Sequence, residues 1–184
     1  MAIYISILRG INVGGHNMIK MEALKQMYDS LGFKNVQTYI QSGNVIFQHK
    51  TTEREKLENK IARKISDKFL FEVPVIVIEM EELKYIVNNN PFTSDRSKDA
   101  AHFHMTFLSA LPEKSNIEKI KEGQYQADDF SILGKAIYLY CPNGYSNSKL
   151  TNTFLETKLK VMATTRNWKT TKELLSMGEK LITK

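Results

Sequence analysis

The order of strand and helix signals along the first 78 residues is the feature that most constrains the fold of this chain. Residues 3–8 are apolar and rich in β-branched side chains, and the next apolar residues recur at helical spacing until Gly32. Two strand-like runs then flank the turn Gln41-Ser42-Gly43-Asn44, a helical pattern covers residues 57–69, and residues 73–78 are again strand-like. Strand, helix, strand, strand, helix, strand is the order of a ferredoxin-like unit.

The same order returns after an interruption. Residues 79–100 begin with a short helical pattern, which the run Asn88-Asn89-Asn90-Pro91 breaks. Beyond it, strand and helix signals again follow one another around the hairpin turn Leu133-Gly134-Lys135. We therefore predict an α+β fold of tandem ferredoxin-like βαββαβ units with an added C-terminal helix. Residues 1–78 form the first unit, 79–100 a helical connector, and 101–184 the second unit plus the terminal helix.

Short motifs predict where individual elements begin and which residues are buried. The spacings Thr52-x-x-Glu55 and Thr170-x-x-Glu173 are those of a capping box at a helix start. Pro74, at the start of the strand 73–78, predicts an edge position in the sheet, because proline cannot donate a ladder hydrogen bond. The residues predicted to lie in the core are Leu8, Ile46, Ile61, Phe107, Leu139 and Phe154.

Composition narrows the class of protein rather than its function. The chain of 184 residues is 42% hydrophobic and contains a single cysteine, which excludes a disulfide framework and a multi-cysteine metal site. No run approaches the ~20 apolar residues of a membrane helix, and the first residues lack the basic leader of a signal peptide. We therefore predict a cytoplasmic protein with no metal, no cofactor and no membrane contact.

Positive charge is concentrated toward the C-terminus. Lys and Arg total 26 against 20 Asp and Glu, a formal net charge of +6. Eight of the basic residues, but only three of the acidic ones, lie in residues 149–184. Such an excess attracts the phosphates of a nucleic acid or a small anion. It is also typical of a solvated, lysine-rich helical surface, so both interpretations stay open.

Glycine and polar residues mark two loops of the first unit as a candidate site. Those in the loop after the first strand and in the turn after the second are Arg9, Gly10, Asn12, Gly14, Gly15, Gln41, Ser42 and Asn44. Because these two strands run parallel, their loops lie at the same edge of the sheet. Glycines let backbone amides face an anion near a helix N-terminus, although no nucleotide-binding fingerprint is present. Alternatively, the asparagines only satisfy loop backbone groups.

A second candidate site surrounds the only tryptophan, in the run Arg166-Asn167-Trp168-Lys169. An indole flanked by cations can stack on a base and hold a phosphate. It can equally be an aromatic plug that fixes the terminal helix. His102 and His104 alternate along a predicted strand, and two histidines without neighbouring cysteines or carboxylates do not make a zinc site.

Four motifs together resemble a known bacterial family. They are Arg9-Gly10-Ile11-Asn12-Val13-Gly14-Gly15, Thr38-Tyr39-Ile40-Gln41-Ser42-Gly43-Asn44-Val45, Asn90-Pro91-Phe92 and Thr164-Thr165-Arg166-Asn167-Trp168. In this order, over nearly the whole chain, they are similar to the family known as domain of unknown function 1697. The resemblance implies a tandem ferredoxin-like α+β fold and points to the same loops. It leaves function open, because no activity is established for that family.

Three classes of function are compatible with these patterns. We predict a binding module for a phosphate-bearing ligand, either a small molecule such as a nucleotide or a nucleic acid. The alternatives are a small-molecule enzyme with a polar pocket at the glycine-rich loop, and a protein-interaction or oligomeric module. No nucleophile–base pair is evident, so enzymatic activity stays open. The oligomeric state stays open as well. The candidate ligand-binding residues are Arg9, Gly10, Asn12, Gly14, Gly15, Gln41, Ser42, Asn44, Arg166, Asn167 and Trp168.

Overall fold

The computed structural model describes residues 1–182, which form two four-stranded sheets and six α-helices. The elements of the first half are β1 (Ala2–Leu8), α1 (Met21–Ser30), β2 (Lys34–Tyr39), β3 (Asn44–His49), α2 (Arg54–Phe69), β4 (Val75–Glu79) and α3 (Met80–Asn88). Those of the second half are β5 (Phe103–Leu108), α4 (Lys114–Lys121), β6 (Asp129–Leu133), β7 (Ala136–Tyr140), α5 (Asn152–Leu159), β8 (Ala163–Asn167) and α6 (Trp168–Ile182). Residues 183 and 184, which end the predicted second unit, lie outside the described residues.

Both sheets are antiparallel and have the same strand order. The first runs β2-β3-β1-β4 and the second β6-β7-β5-β8, so the first strand of each half is central. This is the ferredoxin-like arrangement, and the predicted α+β fold with an added C-terminal helix is confirmed. β4, which follows Pro74, is an edge strand as predicted. None of the helices within residues 1–182 is long and apolar enough to cross a membrane.

The chain divides into two compact units. Met1–Tyr85 and the C-terminal residues from Glu173 onward form the first unit, and Ile86–Lys172 form the second. The segment predicted as a connector, residues 79–100, is thus divided between the units inside α3. The end of the terminal helix, which the sequence places with the second unit, groups with the first.

Contacts between α6 and α3 explain why the end of the terminal helix belongs to the first unit. The Cα of Gly178 lies so close to the sulfur of Met80 that no Cβ fits between them. Lys84, one turn beyond Met80 on α3, has its Nζ 3.7 Å from Oε1 of Glu179, the residue after Gly178. Glycine at position 178 therefore lets the backbone of α6 pack directly on the start of α3.

Helical spacing in the sequence produces the core on the helix side of the first sheet. Leu57, Ile61 and Ile65 recur every four residues along α2, and all three are buried. They belong to the same core cluster as Tyr28 and Phe47. Of the six predicted core residues, five are confirmed as buried. The exception is Phe154, which is half-buried because its neighbour Leu155 occupies the inward position on α5.

The central strands of both sheets are buried on both faces. In β1 every residue from Ile3 to Leu8 is buried, and in β7 the buried run is residues 136–139. Alternate residues of a strand point to opposite faces, so a continuous buried run means that both faces are covered. Neither β1 nor β7 therefore offers an open face on which a ligand could bind.

Both predicted capping boxes are wrong. Thr52 lies before the N-cap residue Glu53, and its backbone N–H donates to the hydroxyl of Tyr4 at 3.1 Å. Thr170 lies inside α6, where its N–H donates to Asn167 Oδ1 at 2.8 Å. Thr52 is thus bonded by a residue distant in sequence. Asn167, the last residue of β8, caps α6 in place of Thr170.

Candidate functional site

The two polar loops of the first unit meet at one end of its sheet. We call this surface the loop end; it comprises residues 9–20, the turn 40–43 and Leu70 at the end of α2. The N–H of Leu8 donates to Gly43 O at 2.8 Å, and Asn12 Nδ2 donates to Gln41 O at 2.9 Å. The predicted contact between the glycine-rich loop and the turn is therefore confirmed.

Gly43 is the position where the two loops approach most closely. Its φ of +81° lies in the left-handed region, and a Cβ there would lie 2.7 Å from Ile11 Cδ1 and 2.8 Å from Leu8 Cβ. Both the conformation and the available space thus demand glycine. The residue is needed for packing between the loops, whatever the loops bind.

Asn12 holds the loop end together through its side chain. Its Nδ2 donates to Ile19 O and to Gln41 O, both at 2.9 Å, while its Oδ1 accepts from Ile19 N at 2.8 Å. These three bonds use both N–H groups of the amide and its oxygen. A side chain committed in this way stabilises the loop instead of presenting donors to a ligand.

Asn44 and Ser42 stabilise the turn in a similar manner. Asn44 is fully buried, and its Nδ2 donates to Tyr39 O at 3.1 Å and to Ser42 Oγ at 3.0 Å. A buried amide needs such partners to offset its desolvation. The geometry therefore favours the scaffolding interpretation for Asn12, Ser42 and Asn44, while a ligand-binding role for the predicted loop residues stays a prediction.

The tip of the glycine-rich loop points away from this scaffold. Gly14 and Gly15 are exposed, with φ of +57° and +78°, and the N–H of His16 donates to Val13 O at 3.0 Å. Two successive left-handed residues closed by this bond are typical of a type I′ turn. At the base of the loop, the half-buried Arg9 donates its N–H to Pro74 O at 3.1 Å, and Gly10 O accepts from the Asn17 side chain.

Trp168, the centre of the second predicted group, lies in the second unit and is buried. Its ring meets Phe103 edge-on with centroids 6.4 Å apart, and Phe103 also contacts Phe92 and Tyr140, each at 5.9 Å. Phe92 belongs to the Asn90-Pro91-Phe92 motif, so the two motifs meet in one aromatic cluster. The structure supports the aromatic-plug interpretation, because a buried indole presents no face to a base.

Arg166 and Asn167 also have structural contacts. Asn167 caps α6, accepting from Thr170 N, and Arg166 Nη1 donates to Thr165 O at 2.9 Å. Burial lowers the pKa of Arg166 to about 10. Arg166 is half-buried and Asn167 is exposed, so a ligand-binding role for the group 166–168 stays a prediction. The group lies in a different unit from the glycine-rich loop.

A polar cluster in the second unit includes one of the predicted histidines. Thr165 Oγ1 donates to Asn152 Oδ1 at 2.6 Å and accepts from Tyr145 at 3.2 Å. His104 stacks on Tyr145 with centroids 5.0 Å apart, and its burial lowers its pKa. His102, predicted to share a strand with His104, ends the preceding 3-10 turn instead.

The single cysteine and the possible metal ligands are the last groups that could carry chemistry. Cys141 is buried, and burial raises the pKa of its thiol to about 11, so it is not a thiolate at neutral pH. Among residues 1–182 there is no group of three His, Cys, Asp or Glu side chains placed to hold a metal ion.

Sequence reasoning missed a groove between the end of α1 and the exposed side of α2. We call it the basic groove; it has a volume of about 410 Å³. Its lining residues are Leu31, Asn59, Lys60, Arg63, Lys64 and Asp67. The three cations follow an i, i+3, i+4 spacing, which places them on one helix face. The spacing of these three cations is visible in the sequence, beside the apolar stripe that predicts α2, but the approach of Leu31 is not.

Lys60 is fixed at one end of the basic groove, whereas the other two cations are not. Its Nζ donates to Leu31 O at 2.8 Å and lies 5.1 Å from the centroid of the Phe33 ring. Within the part of the chain that the structure describes, Arg63 and Lys64 have neither a hydrogen-bond nor an ion-pair partner. The groove therefore presents two uncommitted positive charges beside one that is held in place.

Comparison with known proteins supports the fold and the family without adding a ligand. The chain resembles the structure described as conserved bacterial protein SP0830 from Streptococcus pneumoniae, with a TM-score of 0.77 and 24% identity. The alignment covers 96% of this chain and 98% of that one. No curated protein matches the sequence. The model of the family described as protein of unknown function (DUF1697) matches residues 1–138, and the chain therefore belongs to this family, as its motifs predict.

Proposed function

We propose that this protein is a binding module for a small phosphate-bearing ligand, and that the ligand binds in the basic groove. The observation that carries this proposal is the convergence of Lys60, Arg63 and Lys64 on one groove whose single carboxylate is Asp67. A volume of about 410 Å³ lies within the range of small-molecule sites. The ligand-binding class is the one that the net charge of +6 favours, but its site differs from the loops that the sequence singles out.

The three cations have different roles in this proposal. The guanidinium of Arg63 has paired N–H donors that match two oxygens of one phosphate. Lys64 adds a mobile ammonium charge, and Lys60, anchored on Leu31 O, supplies a fixed positive charge at the groove wall. Because Lys60 and Arg63 are exposed and Lys64 is only half-buried, salt weakens the attraction.

The buried faces of the sheets favour a small ligand over single-stranded nucleic acid. Ferredoxin-like RNA-binding modules stack bases on aromatic residues of an open sheet, but the central strands here are buried on both faces and Trp168 is buried. Leu31 and Asn59 offer one apolar and one amide contact beside the cations. A compact molecule with one or two phosphates matches this lining.

Calorimetric titration with pyrophosphate tests the proposal. The double variant Arg63→Gln/Lys64→Gln should bind pyrophosphate at least ~10-fold more weakly than the wild type, because charge-assisted hydrogen bonds are lost. The matched control is Lys114→Gln/Lys119→Gln, which removes two exposed positive charges from α4. It should bind like the wild type. An equal loss in both variants would show that only net charge attracts the anion, and unchanged binding in the groove variant would refute the site.

A further inference from the structure

The two sheets have four edge strands, and three of them are protected against pairing with another chain. An edge strand exposes unpaired N–H and C=O groups, to which a further strand can bind. In β4 the N–H of Val77 donates to Glu58 Oε1 at 2.8 Å, and in β8 the N–H of Ala163 donates to Glu156 Oε1 at 3.0 Å. A helix glutamate thus occupies each of these two edges. The third edge strand, β2, is interrupted by a bulge within residues 34–37.

The fourth edge strand, β6, lacks these protective features. Its five residues pair with β7 without a register shift, and it contains no proline. Across residues 1–182, no side chain from another element bonds its backbone. Its only charged residue is Asp129, whose Oδ1 accepts from Phe130 N at 2.8 Å and whose Oδ2 lies 3.2 Å from Lys98 Nζ. The strand is therefore regular, and its one charge is already paired.

The ladder shows which backbone groups of β6 face the open edge. The N–H of Leu108 donates to Lys135 O at 2.8 Å, so the backbone groups of Lys135 point toward β5 and those of Ala136 point toward β6. This orientation alternates along both strands of the hairpin. The N–H and C=O groups of Phe130 and Ile132 therefore point away from β7, into the open edge.

A second copy of β6 is complementary to the first, whose sequence is Asp129-Phe130-Ser131-Ile132-Leu133. In an antiparallel pair centred on Ser131, the outward backbone groups of Phe130 meet those of Ile132 from the second copy. This places an aromatic ring beside a β-branched side chain, which is a favourable cross-strand pair. Asp129 faces Leu133 of the second copy, so the only charged residue of the strand does not meet its own equivalent.

Half-buried apolar side chains beside this edge gain burial in such a pair. Phe130, Ile132, Tyr125 and Phe154 all pack against the outside of the core of the second unit, and each is only half-buried. The ring of Tyr125 joins them, with its centroid 5.7 Å from that of Phe130 and 5.8 Å from that of Phe154. A second copy of β6 removes part of this connected apolar surface from water, which favours association.

From these observations we infer that the protein forms a symmetric dimer in which β6 pairs with β6 of a second copy. The second sheets of the two copies then form one continuous eight-stranded antiparallel sheet. The N–H of Phe130 exchanges Asp129 Oδ1 for the carbonyl of Ile132 from the second copy. The N–H of Ile132 donates to the carbonyl of Phe130 in return. The dimer does not involve the basic groove, so either proposal can fail without the other.

Sedimentation equilibrium of the full chain with charge variants at Ser131 tests the dimer. Two copies of Ser131 face each other at the centre of the pair, so Ser131→Lys and Ser131→Glu each place like charges opposite one another. Each variant alone should dimerise at least ~10-fold more weakly than the wild type, and an equal mixture of the two should dimerise again. The matched control is Ser115→Lys, an exposed position on α4, which should dimerise like the wild type.

Oxidative cross-linking tests the register of the pair. Opposed residues of a pair without hydrogen bonds have Cα atoms about 4.5 Å apart, a separation that a disulfide can bridge. Ser131→Cys should therefore form covalent dimers on a non-reducing gel. The matched control is Leu133→Cys, whose two copies are offset by four residues, roughly 13 Å along the strands, and which should not cross-link. Cys141 is buried in both variants.

Three results would overturn the inference. The first is a wild type that stays monomeric at every protein concentration, which would leave the edge to a strand of a different protein. The second is a dimer that Ser131→Lys does not weaken, or one that mixing the two charge variants does not restore. The third is cross-linking of Leu133→Cys as readily as of Ser131→Cys, which would exclude a pair centred on Ser131.

Discussion

The loop end of the first unit and the corresponding end of the second unit share a backbone hydrogen bond and differ in the length of the loop beside it. In the first, Leu8 N donates to Gly43 O; in the second, Leu108 N donates to Lys135 O, each at 2.8 Å. The connection from β1 to α1 occupies residues 9–20, whereas the one from β5 to α4 needs only residues 109–113. The shorter connection shows that the fold closes without a long loop. The glycine-rich loop is thus an addition to the first unit.

The added loop creates its own constraints. Gly43 must be glycine because Ile11, a buried residue of the loop, packs against it. The equivalent turn residue of the second unit is Lys135, whose side chain extends to Ser109 O at 3.4 Å. Gly43 and Asn12 of the first unit therefore hold the added loop in place. A glycine-rich sequence is therefore weak evidence for a bound phosphate.

The largest expected effect distinguishes the turn glycines of the two units. Gly43→Ala should lower the free energy of unfolding by about 2–5 kcal/mol, because the Cβ overlaps Ile11 and Leu8 in a left-handed conformation. Gly134→Ala, at φ of +57° with no atom within 4 Å of its Cβ, should cost only about 1–2 kcal/mol. Urea denaturation measures both. Equal losses would mean that the loop does not constrain the turn.

A smaller effect is expected at the asparagines of the loop. Asn12→Ala removes three hydrogen bonds and should cost about 1–3 kcal/mol of stability. Asn17→Ala removes a single bond, from Asn17 Nδ2 to Gly10 O, at a similar positive φ, and should cost about 0.5–1.5 kcal/mol. Denaturant midpoints compare the two. If Asn12→Ala proved no worse than Asn17→Ala, the Asn12 side chain would not be the scaffold we describe.

The second unit should respond to acid through His104. Burial lowers the pKa of His104 in the folded protein below its ordinary value of 6.5, so the folded state binds fewer protons than the unfolded chain. Stability is then complete above pH 6.5 and falls as the pH decreases from 6.5 toward the lower folded pKa. His104→Gln should flatten this decline in unfolding free energy measured between pH 7.5 and 5. Burial also lowers the pKa of His49, which accounts for part of any slope that persists.

The smallest expected effect exchanges the left-handed residues of the two units. Leu70→Lys introduces the side chain found at the corresponding Lys160 and should change the free energy of unfolding by less than about 0.5 kcal/mol, since Leu70 is 88% exposed. Thermal and urea unfolding of the variant measure the change. A loss above 1 kcal/mol would show that the Leu70 side chain stabilises the fold.

The fold was predictable because each element carries a local signal. The β-branched run of β1 and the four-residue apolar spacing of α2 both describe elements that the structure contains. Some errors arise where residues distant in sequence come into contact. Thr52 precedes Glu53, the N-cap residue of α2, and its backbone bonds to the hydroxyl of Tyr4, 48 residues away. No spacing within the segment around Thr52 contains that information.

The candidate site was less predictable for the same reason. Trp168 is buried by Phe103 and its neighbours, and the pairing of these rings follows from the tertiary fold. The loop contact at Asn12 was predictable from strand direction alone, but the commitment of its amide to backbone partners was not. The basic groove needs Leu31 from α1 beside Lys60 from α2, a pairing that the sequence does not reveal.

Pyrophosphate titration of Asn44→Ala tests most directly whether the polar loop residues are scaffold and the basic groove is the ligand site. The titration is run where the variant is fully folded. We expect Asn44→Ala to lose stability, because its hydrogen bonds to Tyr39 O and Ser42 Oγ are removed, and to bind pyrophosphate with the wild-type dissociation constant. If Asn44→Ala kept its stability and lost pyrophosphate binding, the ligand site would lie at the loops, and the account would be contradicted.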